Sequence, residues 1–151
     1  MEKSLIEKYL DRCYSPAEAG LLNPLTLAYI GDEVFSRYVR KFLVAQDISG
    51  VNRLTALSAQ YVKAHAQAEM AKALEPILTE DEKDIIRRGR NAHSTPPKNA
   101  DKMDYKYATG IEALMGYLEL TGNIQRQKEL MIIGLSVIEV QQEKTHRKFY
   151  K

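Results

Sequence analysis

The sequence predicts an all-α protein, on three observations. Apolar residues recur every three to four positions along nearly the whole chain, the spacing that gathers them on one helix face. No segment alternates apolar and polar residues as a half-buried strand does. Helix caps and breakers divide the apolar stretches, Asn23-Pro24, Thr79-Glu80-Asp81-Glu82 and Thr121-Gly122 among them. At 151 residues the chain is long enough for one hydrophobic core, and it reads as a single domain over 1–151.

Residues 2–12 form a short amphipathic opening helix, and the stretch from Ser15 to Gly20 breaks it. Asn23 caps a long helix with Pro24 in its first turn. Leu25, Leu27, Tyr29, Ile30, Val34, Phe35, Val39, Phe42 and Leu43 cover much of that helix, so it is expected to be central and buried. Ser49-Gly50 ends the next connection, and Asn52 caps a helix over about 53–74, rich in Ala, Leu and Gln, that Pro76 closes. The Thr79–Glu82 capping box opens a helix to about residue 90. Residues 91–99 are a loop by composition. A helix over about 103–120 stops at Thr121-Gly122. The last runs over about 124–143, leaving a basic tail, 144–151, that frays.

A net charge of +2 supplies no global attraction for nucleic acid, so any such attraction must come from local clustering. Cys13, the one cysteine, excludes an internal disulfide and fits a reducing compartment. The opening residues carry no apolar signal core, and the greasiest run, Leu130 to Ile138, is too short to span a bilayer. The expected location is cytoplasmic.

Two acids stand among small or apolar neighbours. Asp32 shares its helix face with Ala28, Tyr29, Phe35 and Ser36, and Gly31 beside it suits a close neighbouring backbone. Glu112 is flanked by Ala108, Thr109, Met115 and Gly116, which leave room above its carboxylate. Ionised carboxylates are costly to bury unless they are paired or hold a metal. One reading is plain: Asp32 sits at the edge of the buried face, paired with Arg37 or Arg40, and Glu112 is a partly exposed helix acid. The other brings the two together to hold Mg²⁺, which takes oxygen ligands and keeps several waters. Glu33 points about a quarter turn from Asp32, and Glu119 is expected to face solvent. His65 and Glu69 have i, i+4 spacing but no third metal partner. Nothing beside Cys13 would activate it.

Between residues 83 and 106 seven basic side chains face three acids, an excess of four in a near-neutral protein. Arg87, Arg88 and Arg90 end a helix, where cations also complement the dipole. They lead into a polar loop with Asn91, His93, Ser94, Thr95 and Lys98, the donors that phosphate contacts use. Tyr105 and Tyr107 follow, placed to stack or to pack.

The ordered blocks LAYIGDEVFSRYVR, RRGRNAHSTPPKN and DYKYATGIEALMGYLEL resemble the ribonuclease III catalytic domain, in particular its short form, Mini-ribonuclease III, over about 24–138. The resemblance implies an all-helical endoribonuclease domain that cuts double-stranded RNA as a homodimer with Mg²⁺. Asp32 falls on the family's signature aspartate and Glu112 on the glutamate of its second acidic motif, which makes both catalytic metal ligands. Tyr29 falls where full-length enzymes carry an aromatic that plugs the partner subunit. Arg87, Arg88, Arg90, Asn91 and Lys98 fall in the short form's substrate-contacting segment. The implied substrate is the terminal stem of 23S ribosomal RNA precursor, with help from a ribosomal protein bound to that RNA. The chain departs from the full-length pattern at Ala28, at Thr109 and at Ala64 or His65, where acids are usual. Those departures motivate two rivals: a non-catalytic relative that binds RNA or associates with the ribosome, and a helical dimerisation module without RNA.

Overall fold

The computed structural model describes the backbone of residues 2–149 and the side chains of 2–144. Among the described residues there are helices and no strands: α1 (Leu5–Tyr9), α2 (Pro16–Gly20), α3 (Pro24–Val44), α4 (Val51–Val62), α5 (Ala64–Leu74) with a 3₁₀ turn at Glu75–Ile77, α6 (Glu80–Arg90), α7 (Lys102–Leu120) and α8 (Ile124–Phe149). The all-α expectation is met.

The caps read from sequence at Asn23 and Thr79 form. Asn23 Oδ1 accepts from the Leu25 N–H, and Thr79 and Glu82 exchange the reciprocal bonds of a capping box. Four boundaries differ from expectation. α1 is shorter than 2–12 because none of its residues is buried, so only its Ser4–Glu7 capping box supports it. The expected break at 15–20 holds a helix, α2, with Ser15 and Glu18 as its capping box. The helix expected over 53–74 is two: it starts at Val51 after Gly50, whose φ of 95° suits glycine. Lys63 then adopts extended geometry and separates α4 from α5. The turn lets α4 pack on α3 while α5 packs on α7 and α8, which one straight helix would not do. The tail expected to fray is helical to Phe149, and residues 150 and 151 lie outside the described backbone.

α7 runs through the centre. From Ala108 to Leu118 all its residues are buried except Glu112 and Tyr117. α3 supplies Leu27, Val34, Phe35, Val39 and Leu43 to the same core, α5 supplies Met70 and Leu74, and α8 supplies Leu130, Met131 and Ile138. α3 crosses α7 at two glycines. A Cβ at Gly31 would stand 1.7 Å from the Glu112 carbonyl oxygen, and one at Gly116 1.9 Å from that of Leu27. The backbones touch with no side chain between them.

Ion pairs tie the outer helices to this crossing. Arg126 on α8 donates through Nε and Nη2 to the Glu82 carboxylate at 2.9 and 2.8 Å, and through Nη2 to the Ile77 carbonyl. Burial raises the Glu82 carboxyl, but Arg126 and the Thr79 cap outweigh it and hold it below its ordinary range. Glu119, expected to face solvent, is half-buried instead: Arg37 donates to it at 3.0 Å and Gln127 at 2.7 Å. Among the described residues no helix is long and apolar enough to cross a membrane.

Candidate active site

The α3–α7 crossing sets the site. Asp32 follows Gly31, and Gly31 lies against the backbone of Glu112. With no Cβ at 31 to hold the helices apart, the two side chains meet, although eighty positions separate them in sequence. The Glu112 carboxyl donates a hydrogen bond to the Asp32 carboxylate. Asp32 is exposed and Glu112 half-buried, so the pair opens to solvent on the Asp32 side.

Neither acid takes an ion-pair partner among the described residues. Arg37, a candidate partner for Asp32, bonds Glu119 and lies 3.6 Å from Glu33. Burial first, and then the like charge of Asp32, push the Glu112 carboxyl up to about 8. With no counter-charge among the described residues, Glu112 keeps its proton well above the ordinary carboxylate range. A divalent cation would supply the charge this arrangement lacks, and two carboxylate groups with open solvent on one side fit an ion that keeps waters in its shell. The protein's own donor set is small: no cluster of three or more His, Cys, Asp or Glu suited to a metal occurs among the described residues. Ala28 offers no ligand, and the Thr109 hydroxyl is occupied, donating to the Tyr105 carbonyl at 2.9 Å. His65 pairs with Asp104 at 3.0 Å rather than with Glu69, which lies near Lys72.

The five basic-segment residues divide in two. Arg87, Asn91 and Lys98 are exposed, Arg87 with Asp84 as neighbour on its own helix. Arg88 turns inward and donates to the Gly20 and Leu22 carbonyls at 2.7 and 3.3 Å, tying α6 to the corner that starts α3. Arg90 lies 4.3 Å from the centre of the Tyr107 ring, which Lys72 also approaches, and its Nε is buried without a partner. The structure thus employs Arg88 and Arg90 within the fold. Tyr29 stands one turn before Asp32 on α3 and is 79% exposed, a large ring without cover in one copy of the chain.

Gly116 is the residue whose part was missed. In sequence it reads as space above Glu112; in the fold it is where α7 receives the α3 backbone. The small residues at 31 and 116 were the available signal, and pairing them across the chain needed the topology.

The chain matches the Ribonuclease III domain family over residues 25–123. It is 46% identical over 142 residues to the Mini-ribonuclease 3 of Thermoanaerobacter sp. (strain X514), covering 92% of this chain and 99% of the relative. It is 42% identical to that of Brevibacillus brevis, covering 81% and 92% respectively. Among solved structures it resembles protein FN1578 from Fusobacterium nucleatum, with a TM-score of 0.69 and 29% identity over 74% of this chain and 91% of that one.

Proposed function

The chain belongs to the Mini-ribonuclease 3 family of ribonuclease III domains and is an endoribonuclease, and from that premise we propose that it cuts double-stranded RNA with Mg²⁺. The observation that carries this reading is the Asp32–Glu112 pair, two acids in contact with no basic partner among the described residues. Asp32 and Glu112 are the residues that would hold the ion. When bound there, Mg²⁺ supplies Lewis-acid charge to a phosphodiester.

Cleavage adds water across a P–O3′ bond: the water oxygen bonds to phosphorus, the P–O3′ bond breaks, and the 3′ oxygen leaves with a proton. Without the ion the half-buried Glu112 carboxyl keeps its proton at neutral pH beside Asp32; as ligands both acids would be ionised. Arg87, Asn91 and Lys98 offer exposed donors to the RNA backbone, while Arg88 and Arg90 hold their segment in place. A-form RNA is read through its shape and backbone, so such contacts suit a duplex. The proposed assembly is a two-fold homodimer with Tyr29 at the interface, one site per subunit cutting each strand. The whole chain, 1–151, acts as one domain in the cytoplasm. The natural substrate in this reading is the terminal stem of 23S ribosomal RNA precursor.

The test is cleavage of a long double-stranded RNA and of the precursor stem, wild type against Asp32→Asn, with and without Mg²⁺. Cutting by the wild type in Mg²⁺, lost at least ~100-fold in the variant, is expected. Cutting of the stem only after ribosomal protein is added would make the enzyme an assisted one. Binding without cutting under every condition would overturn the catalytic reading in favour of a non-catalytic RNA-binding protein.

A further inference from the structure

The end of α6 is pressed against α7 at a second pair of glycines. A Cβ at Gly89 would stand 2.8 Å from the Gly110 Cα, and one at Gly110 2.7 Å from the Ile86 carbonyl oxygen. Both are closer than a side-chain carbon comes to backbone, so the two helices meet with no side chain between them. The stem of Arg90 crosses the same gap, its Cγ 3.2 Å from where a Gly110 Cβ would be. The Arg90 guanidinium then lies on the Tyr107 ring, 4.3 Å from its centre and about one turn earlier on α7. Tyr107 is half-buried against the core, and Lys72 of α5 approaches its ring at 5.3 Å. The ring that carries the end of α6 is thus backed by α5.

Stability does not account for this arrangement. Arg90 makes no ion pair among the described residues, and its Nε is buried without an acceptor. A buried donor left unpaired destabilises a fold, and an apolar side chain would fill the place without that loss. What the arrangement does is fix a distance. Gly110 stands two residues before Glu112, about 3 Å along the helix and about 200° around it. The α6 end and the acid pair therefore lie at one level on nearly opposite faces of α7, α6 against Gly110 and α3 against Glu112. Arg87 and Asn91, two of the exposed donors proposed for the RNA backbone, stand two residues before and two after Gly89. Between those donors and the acids α7 is a spacer one helix thick, about 10 Å.

We propose that Tyr107 and Gly110 are positioning residues for cleavage. By seating the end of α6 on α7 they set the offset, along the duplex, between the backbone held at Arg87 and Asn91 and the phosphodiester presented to Asp32 and Glu112. Neither residue touches RNA in this arrangement. The proposal rests on the double-stranded RNA reading above and adds to it the residues that decide where the cut falls.

The test uses the full chain and a paired RNA stem, closed by a loop at one end and labelled at the other, so that each cut is read as a nucleotide position. Tyr107→Ala removes the ring under Arg90 without a clash, Tyr107→Phe keeps the ring, and Gly110→Ala drives a methyl group into the Ile86 carbonyl. Affinity is measured without Mg²⁺ and cutting with it, on protein that circular dichroism shows to be folded at the assay temperature. Tyr107→Ala and Gly110→Ala are expected to bind the stem within about threefold of wild type, to lose ~10- to 100-fold in kcat, and to spread their cuts over neighbouring nucleotides. Tyr107→Phe is expected to cut at the wild-type position and rate. A merely structural role would lower the folded fraction and leave the position of the remaining cuts unchanged. Cuts confined to the wild-type position in folded Tyr107→Ala overturn the proposal, as does an affinity loss that accounts for the whole loss of rate. If Gly110→Ala does not fold, Tyr107→Ala decides alone. Failure of the wild type to cut any paired RNA would instead strike the underlying functional reading, and the two failures are distinct.

Discussion

At the residue scale, Glu112 carries a cost that its proposed role as a metal ligand explains. Its ordinary carboxyl value is 4.5 and the fold raises it to about 8. The sign follows: below 4.5 both folded and unfolded states are protonated and nothing is lost. As pH rises from there, the unfolded chain releases the proton first and the fold loses stability until Glu112 itself ionises near 8. Glu112→Gln removes this titration, so it should stabilise the metal-free protein at pH 8, by up to about 4 kcal/mol, while abolishing cleavage. Denaturant melts at acid pH and at pH 8, without metal, check it: a variant less stable than wild type at pH 8 would mean that the fold does not bear this cost. Millimolar Mg²⁺ should raise the wild-type melting temperature and leave that of Glu112→Gln unmoved, since an ion that binds only the folded state stabilises it by mass action. Both acids were legible in sequence from their apolar and small neighbours. Their lack of a cation was not, because the partner of Arg37, Glu119, lies 82 positions away and nothing local marks it.

At the scale of elements, the sequence announces helices through caps and hides turns that no breaker marks. Asn23 and Thr79 stand at their predicted posts. Ser15 and Glu18 carry the same capping signature, and the brevity of α2 concealed it. The elbow at Lys63 has no Pro or Gly, and the Ala, Leu and Gln on either side favour one continuous helix; tertiary packing overrides them. Two predictions belong here. Gly31→Ala places a methyl group inside the Glu112 carbonyl and forces α3 off α7, which should cost about 3 kcal/mol or more and separate the acids as well. A variant that melts with the wild type would show the crossing to be looser than described. Glu82→Gln breaks the clamp that joins α6 to α8, and leaves Arg126 with Glu129 and a carbonyl, at a cost of about 2–4 kcal/mol at neutral pH. Because the Glu82 carboxyl is held below its ordinary value, the wild-type advantage is full above that value and fades as pH falls through the lowered one. Stability curves for the two proteins should converge in acid; parallel curves would assign the loss to something other than this titration.

At the scale of the whole molecule, the helices leave α3 with an uncovered ring. Tyr29 is 79% exposed, and Leu21 near the start of the same helix is 87% exposed. If Tyr29 meets a second copy, as proposed, Tyr29→Ala should weaken the dimer by about 2 kcal/mol, ~30-fold in its dissociation constant, with the monomer fold intact. Sedimentation velocity over a concentration series reads this directly, and an unchanged dissociation constant would remove Tyr29 from the interface. The all-α class was legible from periodicity alone. Which helix lies against which was not, since only Gly31 and Gly116 betray the crossing and glycines occur for many reasons.

That crossing also sets when the acid pair forms. Asp32 is synthesised early and Glu112 late, and the pair exists only once α7 has docked on α3. A nascent chain that has extruded α1 to α6 holds half of the acid pair and no closed core around it. On the proposed reading, a chain still being made beside ribosomal RNA carries through most of that time no complete acid pair with which to cut.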